Sequence, residues 1–275
     1  MKDWSWALPV WQTAAAAALA LMGPLPSALA SEFAVSASPP RFELALKPGE
    51  HSRQVLEITN ASAQATTLGI KTADWTLGAD NSVAFHEELQ PGSCRPWVAL
   101  EKRELTVSSG RAYRFRFEIS PPSDAKPGEC RFAIMLEGQE QVGHAAGGLD
   151  FPFSARLGVV VYATLGGAVP ELSVVGSSVQ SIEGKPTPVL KVHNSGAAHG
   201  RLAGFLSGTD AAKTELEFAP ASMPILPGET RTIALTATRP GDPDTLVQVQ
   251  FPVTISGKLE WGNGQTQNIE QRFAP

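Results

Sequence analysis

Beyond its first thirty residues the chain has no apolar run near the roughly 20 residues that a membrane-spanning helix needs, so no later segment is expected to cross a bilayer. Charge is scarce and mixed: 22 Lys and Arg stand against 27 Asp and Glu, a net of -5. Neither sign gathers into a block, which speaks against a nucleic-acid partner and against a charged tail. No window after residue 31 keeps apolar residues at i, i+3, i+4 and i+7 over three turns, so no long helix is expected.

Catalytic constellations are missing as well. The two cysteines, Cys94 and Cys130, form no Cys-x-x-Cys pair suited to redox chemistry. The five histidines, His51, His86, His144, His193 and His199, have no spacing that brings two metal ligands beside a third. Ser108-Ser109-Gly110 and Ser207-Gly208 lack the Gly-x-Ser-x-Gly frame of a nucleophile elbow, and no glycine cluster joins a strand to a helix as a phosphate cradle would. Glu87-Glu88 reads as a solvated pair, and Trp75 and Trp97 as packing residues. The expectation is a binding protein: no catalytic residue, no metal, no cofactor and no small-molecule substrate.

What is present begins with an export signal. An apolar block from Ala14 to Met22, a Gly23-Pro24 break and the small-residue site Ala28-Leu29-Ala30 predict cleavage after Ala30; a retained anchor is the alternative. The remainder is punctuated by 25 glycines and 22 prolines in 275 residues, against a usual combined share of roughly 12%. They fall between short alternating runs, the pattern of an all-β chain. An even cysteine count in an exported chain favours a disulfide between Cys94 and Cys130, closing a loop of about 36 residues for roughly 4 kcal/mol on the chain-entropy view. Two strand-end thiols that never meet are the other reading. Trp261 approaches a hairpin turn at Asn263-Gly264.

The chain also repeats itself. Leu56-Glu57-Ile58-Thr59-Asn60-Ala61-Ser62 is echoed by Leu190-Lys191-Val192-His193-Asn194-Ser195-Gly196. Ser109-Gly110-Arg111, followed by Tyr113, Phe115, Phe117 and Ile119, is echoed by Pro227-Gly228-Glu229 with Ile233 and Leu235. A further strand follows each, Cys130 to Glu137 and Leu246 to Ile255. Two tandem immunoglobulin-like β-sandwiches are expected, at 31–165 and 166–275, with the joint near Gly166-Gly167. From Leu149 to Tyr162 one strand face reads Leu149, Phe151, Phe153, Ala155, Leu157, Val159, Val161. That ladder is longer than one sandwich covers.

These residues together resemble the periplasmic pilus (fimbrial) assembly chaperones, over most of the chain after Ala30 and more strongly in its first half. The resemblance implies a periplasmic protein that lends a β-strand to an incomplete pilin-type subunit, keeping it from aggregating during pilus or fimbria assembly. Leu149, Phe151 and Phe153 align with the family's inserted apolar residues, and the Gly138–Gly148 stretch with the loop leading into that strand. Arg41 matches the first-strand arginine that grips the subunit's C-terminal carboxylate. The second anchoring position holds Gly158 in place of lysine, and Arg156 is the nearest cation on that face. An outer-membrane usher is a further partner that the resemblance implies. The rival is an exported structural or adhesive envelope protein with no client.

Overall fold

A computed structural model describes residues 33–144 and 150–275; the export segment and Leu149 lie outside the described residues. The fold is all-β, two immunoglobulin-like sandwiches in tandem, and among the described residues the one helical element is a 3-10 turn at Arg95–Trp97. None of it is a helix long and apolar enough to cross a membrane.

The first sandwich is built from β1 (Val35–Ser38), β2 (Arg41–Leu46), β3 (Ser52–Asn60), β4 (Thr66–Leu77), β5 (Val83–His86), β6 (Val98–Leu100), β7 (Glu104–Val107), β8 (Ala112–Ile119), β9 (Gly128–Gly138), β10 (Gln141–His144), β11 (Asp150–Phe153) and β12 (Arg156–Leu165). One sheet has the order β1-β3-β8-β6; the other has β2-β12-β9-β4-β5, with β7 on β4. Pro39 and Pro40 have no N–H to give a ladder, so the first strand stops there and resumes in the opposite sheet, parallel to β12. Alternation does the rest: Leu56, Ile58, Phe115, Phe117, Ile119, Phe132, Ile134, Leu136, Val159 and Val161 all point inward and are buried. Cys94 and Cys130 are joined, with Cα atoms 5.9 Å apart, tying the segment before β6 to β9 of the facing sheet.

The second sandwich follows with β13 (Leu172–Ile182), β14 (Lys185–Asn194), β15 (Ala203–Thr209), β16 (Glu215–Pro220), β17 (Thr230–Arg239), β18 (Asp242–Leu246), β19 (Val253–Trp261) and β20 (Gln265–Phe273). Its strands run in one path, β13-β14-β17-β16-β15-β19-β20, because β17 pairs with β14 through its first half and with β16 through its second. The Asn263-Gly264 turn joins β19 to β20 as a hairpin. The run expected as a single strand from Leu246 to Ile255 is instead the end of β18 and the start of β19, separated by a segment holding Pro252, whose missing N–H cannot serve a ladder.

The repeated asparagines do the same work in each half. Asn60 ends β3 fully buried, its Nδ2 donating to the carbonyls of Gln64 (2.8 Å) and Val107 (2.9 Å) while its Oδ1 accepts from the Ser62 N–H. Asn194 ends β14 equally buried, donating to Ala198 and Ile225 (both 2.8 Å) and accepting from Gly196 and Glu171 N–H. A buried amide with all its partners is a stable way to stop a strand and start a loop.

Candidate functional site

The apolar ladder of the sequence belongs to a long hairpin arm, and its strand is not continuous. β12 runs antiparallel to β9 with Arg156 opposite Glu137, whereas β11 runs antiparallel to β10 with Phe153 opposite Gln141. The register therefore steps by one residue between the two segments, and Ser154 and Ala155 fall outside both strands. The Gly138 N–H still donates to the Ala155 carbonyl at 2.9 Å, so the arm is bent rather than cut. Pro152 sits in β11, the middle of a two-stranded ribbon where a missing donor is tolerated.

The bend divides the ladder into two parts. Val159 and Val161 are sealed in the first sandwich's own core, and Leu157 packs against it. Phe153, before the bend, is 41% exposed. Phe151 belongs to β11 by its backbone, its side chain lying outside the described part, as does Leu149 altogether. On the side of β12 away from β9, β2 covers only Val160–Leu165. The edge from Arg156 to Val159 has no strand beside it among the described residues.

The two anchor candidates share a sheet face but not a location. Arg41 lies opposite Val160 in the parallel register, and Arg156 is four residues up the same strand, about 13 Å away at the rise of a β-strand. Arg41 Nε donates to Glu43 Oε1 at 2.7 Å, both groups half exposed. Arg156 is exposed opposite Glu137, and its charge reaches Glu87, whose carboxyl is held below its ordinary range chiefly by the hydrogen bond from Lys71. Between them, the Phe85 ring, which β5 lays over the strand, occupies the space a side chain at Gly158 would need: a Cβ there would lie 2.4 Å from its Cζ. A lysine at this position would require that ring to move.

Glu43, to which Arg41 is bonded, borders a cleft of about 380 Å³ between the sandwiches, lined also by Thr164, Val169, His199, Arg201 and Asn263. Beside it runs a column of rings and charges. Trp75 meets Tyr162 edge-on at 5.4 Å, Tyr162 stacks on His199 at 3.8 Å, and Arg131 and Arg201 lie over the outer faces of Trp75 and Tyr162. The Glu129 side chain is fully buried: one oxygen accepts from both the backbone N–H and Nδ1 of His199, at 2.9 and 2.5 Å, and the other faces Arg131 at 3.2 Å. Glu43 Oε1 stands 3.7 Å from His199 Nε2 and 3.6 Å from Arg201 Nε. Burial would raise the Glu43 carboxyl, but the hydrogen bond from Arg41 and the charges of His199, Arg41 and Arg201 together hold it below its ordinary value. Burial pushes the Tyr162 phenol up against the opposing pull of Arg201.

A second tie crosses the interface. Arg231, nearly buried, donates to the Gly78 carbonyl (3.1 Å) and to Asn81 Oδ1 (2.6 Å) at the tip of the β4–β5 hairpin, and is held on its own side by Glu229. Leu226 adds an apolar contact to Trp75, Met135 and Tyr162 on the outer face of the first sandwich's larger sheet. Sequence reasoning named His199 only among histidines without metal-site spacing and gave no role to Glu43, Glu129, Arg201 or Arg231. Their charges carry no period, and the partners lie far apart in the chain.

No family model and no curated protein matches the chain. Among solved structures it is similar to the CsuC chaperone in a pre-assembly complex with the CsuE tip adhesion subunit of Acinetobacter baumannii Csu pili, at 14% identity and TM-score 0.43 over 88% of this chain and 99% of that one. It is likewise similar to a Salmonella enterica complex of the SafA pilin with the SafB chaperone (11%, TM-score 0.45, 88% and 98%) and to the Pseudomonas aeruginosa CupB2 chaperone (9%, TM-score 0.43, 87% and 100%).

Proposed function

We propose that the chain is a periplasmic chaperone for pilin-type subunits, exported by a signal cut after Ala30, and that the first sandwich, bounded at 31–165, lends its hairpin arm to a client. One observation carries the reading: the strand that fills the core at Val159 and Val161 leads into an arm whose β12 edge, among the described residues, has no strand beside it from Arg156 to Val159, and whose Phe153 is 41% exposed. A row of unpaired backbone groups beside alternating apolar side chains is what a strand-deficient sandwich needs in order to complete its fold. Leu149, Phe151 and Phe153 would fill the client's pockets, at ~1.5 to 3 kcal/mol each before association costs. Arg41 would meet the client's terminal carboxylate at the cleft mouth, exchanging its bond to Glu43 for one to the incoming carboxylate. Arg156, further up the strand, would lie beside the client's backbone.

The role is binding without catalysis, and an outer-membrane usher would be the next protein to receive the loaded complex. The test is co-purification from periplasmic extract of the full chain and of Phe151→Asp/Phe153→Asp. The wild type should retain small β-rich subunits that the double variant loses; equal recovery by both forms removes the mechanism and leaves a structural envelope protein.

A further inference from the structure

The contact between the two sandwiches contains a histidine placed to answer two carboxylates at once. His199, on the segment between β14 and β15, is nearly enclosed by the first sandwich. β9 presents Glu129 to Nδ1, with Arg131 behind it; β2 presents Glu43 to Nε2, with Arg41 on it; β12 presents Tyr162 to the ring face; and Arg201, two residues along its own segment, shares Glu43. A neutral imidazole has one N–H, and Glu129, fully buried, claims it. Its second nitrogen then turns a lone pair toward the oxygen of Glu43. Only the doubly protonated ring can donate to both.

We infer that His199 is a proton-operated latch that sets how firmly the two sandwiches are held at one angle. The device has the other parts it needs. The joint between the sandwiches is Gly166-Gly167, both at positive φ (+62° and +73°), backbone conformations that L side chains rarely adopt, so only these two residues need turn for the angle to change. The second tie, Arg231 to the β4–β5 tip, does not involve the histidine and holds the halves together when the latch is loose. Loss of the proton therefore removes the Glu43 half of the latch and keeps the Glu129 half, loosening the angle without separating or unfolding the sandwiches. The other histidines with described side chains are spent inside one sandwich: His51 on Glu118 and Ser120, His86 on Thr76, His193 on Thr230.

The inference does not depend on what the arm binds. Its test is the relative orientation of the sandwiches in the full chain, read from residual dipolar couplings at about pH 5.5 and about pH 8. The wild type should show one shared alignment tensor at the lower pH and two distinct tensors at the higher. His199→Gln, which cannot take up the proton, should give the two-tensor behaviour at both. Should that variant fold poorly, Glu43→Gln keeps the ring and removes the second carboxylate, and it too should abolish the pH response. His51→Gln should leave the response intact. A single shared tensor at both pH values in the wild type, or a pH response that survives in His199→Gln, overturns the latch.

Discussion

The two sandwiches use one plan and close it by different means. Each stops its second long core strand with a fully buried asparagine that donates to two loop carbonyls, Asn60 in the first and Asn194 in the second. The second then satisfies itself. β17 serves both halves of its sheet, and Gln267 and Gln271 on β20 reach the Val174 N–H and Ser177 of β13, so its edge strands are stitched together by side chains. The first does not close among the described residues: β2 pairs with β12 only from Val160 on, and β12 leads into the arm. It also carries the disulfide. An open edge forfeits pairing that a closed sheet would have, and a crosslink on the same sandwich offsets the loss by restricting the unfolded chain.

If that division is right, reduction should separate the halves more than any other change. Cys94→Ser/Cys130→Ser opens a loop of sequence separation 36 and should cost the first sandwich ~4 kcal/mol, with no loss in the second. Native-state amide exchange resolves the two, since the most protected amides of β3, β8 and β9 would fall while those of β14, β17 and β19 hold. Parallel losses in both halves would mean that the sandwiches unfold as one unit.

The asparagines test the shared part. Asn60→Ala removes the donations to the Gln64 and Val107 carbonyls, and Asn194→Ala those to the Ala198 and Ile225 carbonyls, the last of which keeps the Gly200 N–H. With several buried hydrogen bonds lost in each, the expected cost is ~3 kcal/mol apiece, confined to the altered sandwich. Equality is the point. A cost near zero for one of the two, in urea titrations followed by the same exchange probes, would show that the repeat is one of sequence and not of mechanism.

Much of this was legible in the chain because it follows from period and punctuation. Alternation placed the core faces of β3, β8 and β12, the repeated Asn motif announced two copies, and Asn263-Gly264 marked the last hairpin. The bend in the arm was hidden for a specific reason. Apolar alternation passes unbroken through Ala155, and the register step arises from the opposing strand, which spends one extra residue between Glu137 and Gln141. Gly158 looked like a lost anchor and is where the Phe85 ring rests, a residue more than seventy positions earlier that no local pattern connects to it. The latch was equally out of reach: Glu43, Glu129 and His199 lie on three separate elements, and polar contacts between distant strands leave no periodic trace.

The smallest expected effect belongs to the second sandwich alone and is read through pH. Asp210, at the end of β15, accepts N–H bonds from Ala212 (2.9 Å), Thr214 (3.0 Å) and Gln250 (3.2 Å), gathering two loops around one carboxylate. Burial there would raise its pKa, but the donations from Thr214, Gln250 and Ala212 outweigh it and hold the carboxyl below its ordinary range. A depressed folded value means that the stabilisation is fully present above the unfolded value of about 3.9 and is lost as the pH falls through the folded one. Acid should therefore loosen the segment around Lys213 and Gln250 before it reaches β14 and β17. Asp210→Asn should remove that pH dependence while keeping most of the geometry, since an amide oxygen accepts the same bonds without the charge. The first sandwich has its own carboxylate at the corresponding turn, Asp80 after β4, held below its ordinary range chiefly by the Ser82 hydroxyl and N–H, so its acid profile should be unmoved by the substitution at Asp210; a shift in both would show that the two halves share their acid transition and that the Arg231 tie couples them tightly.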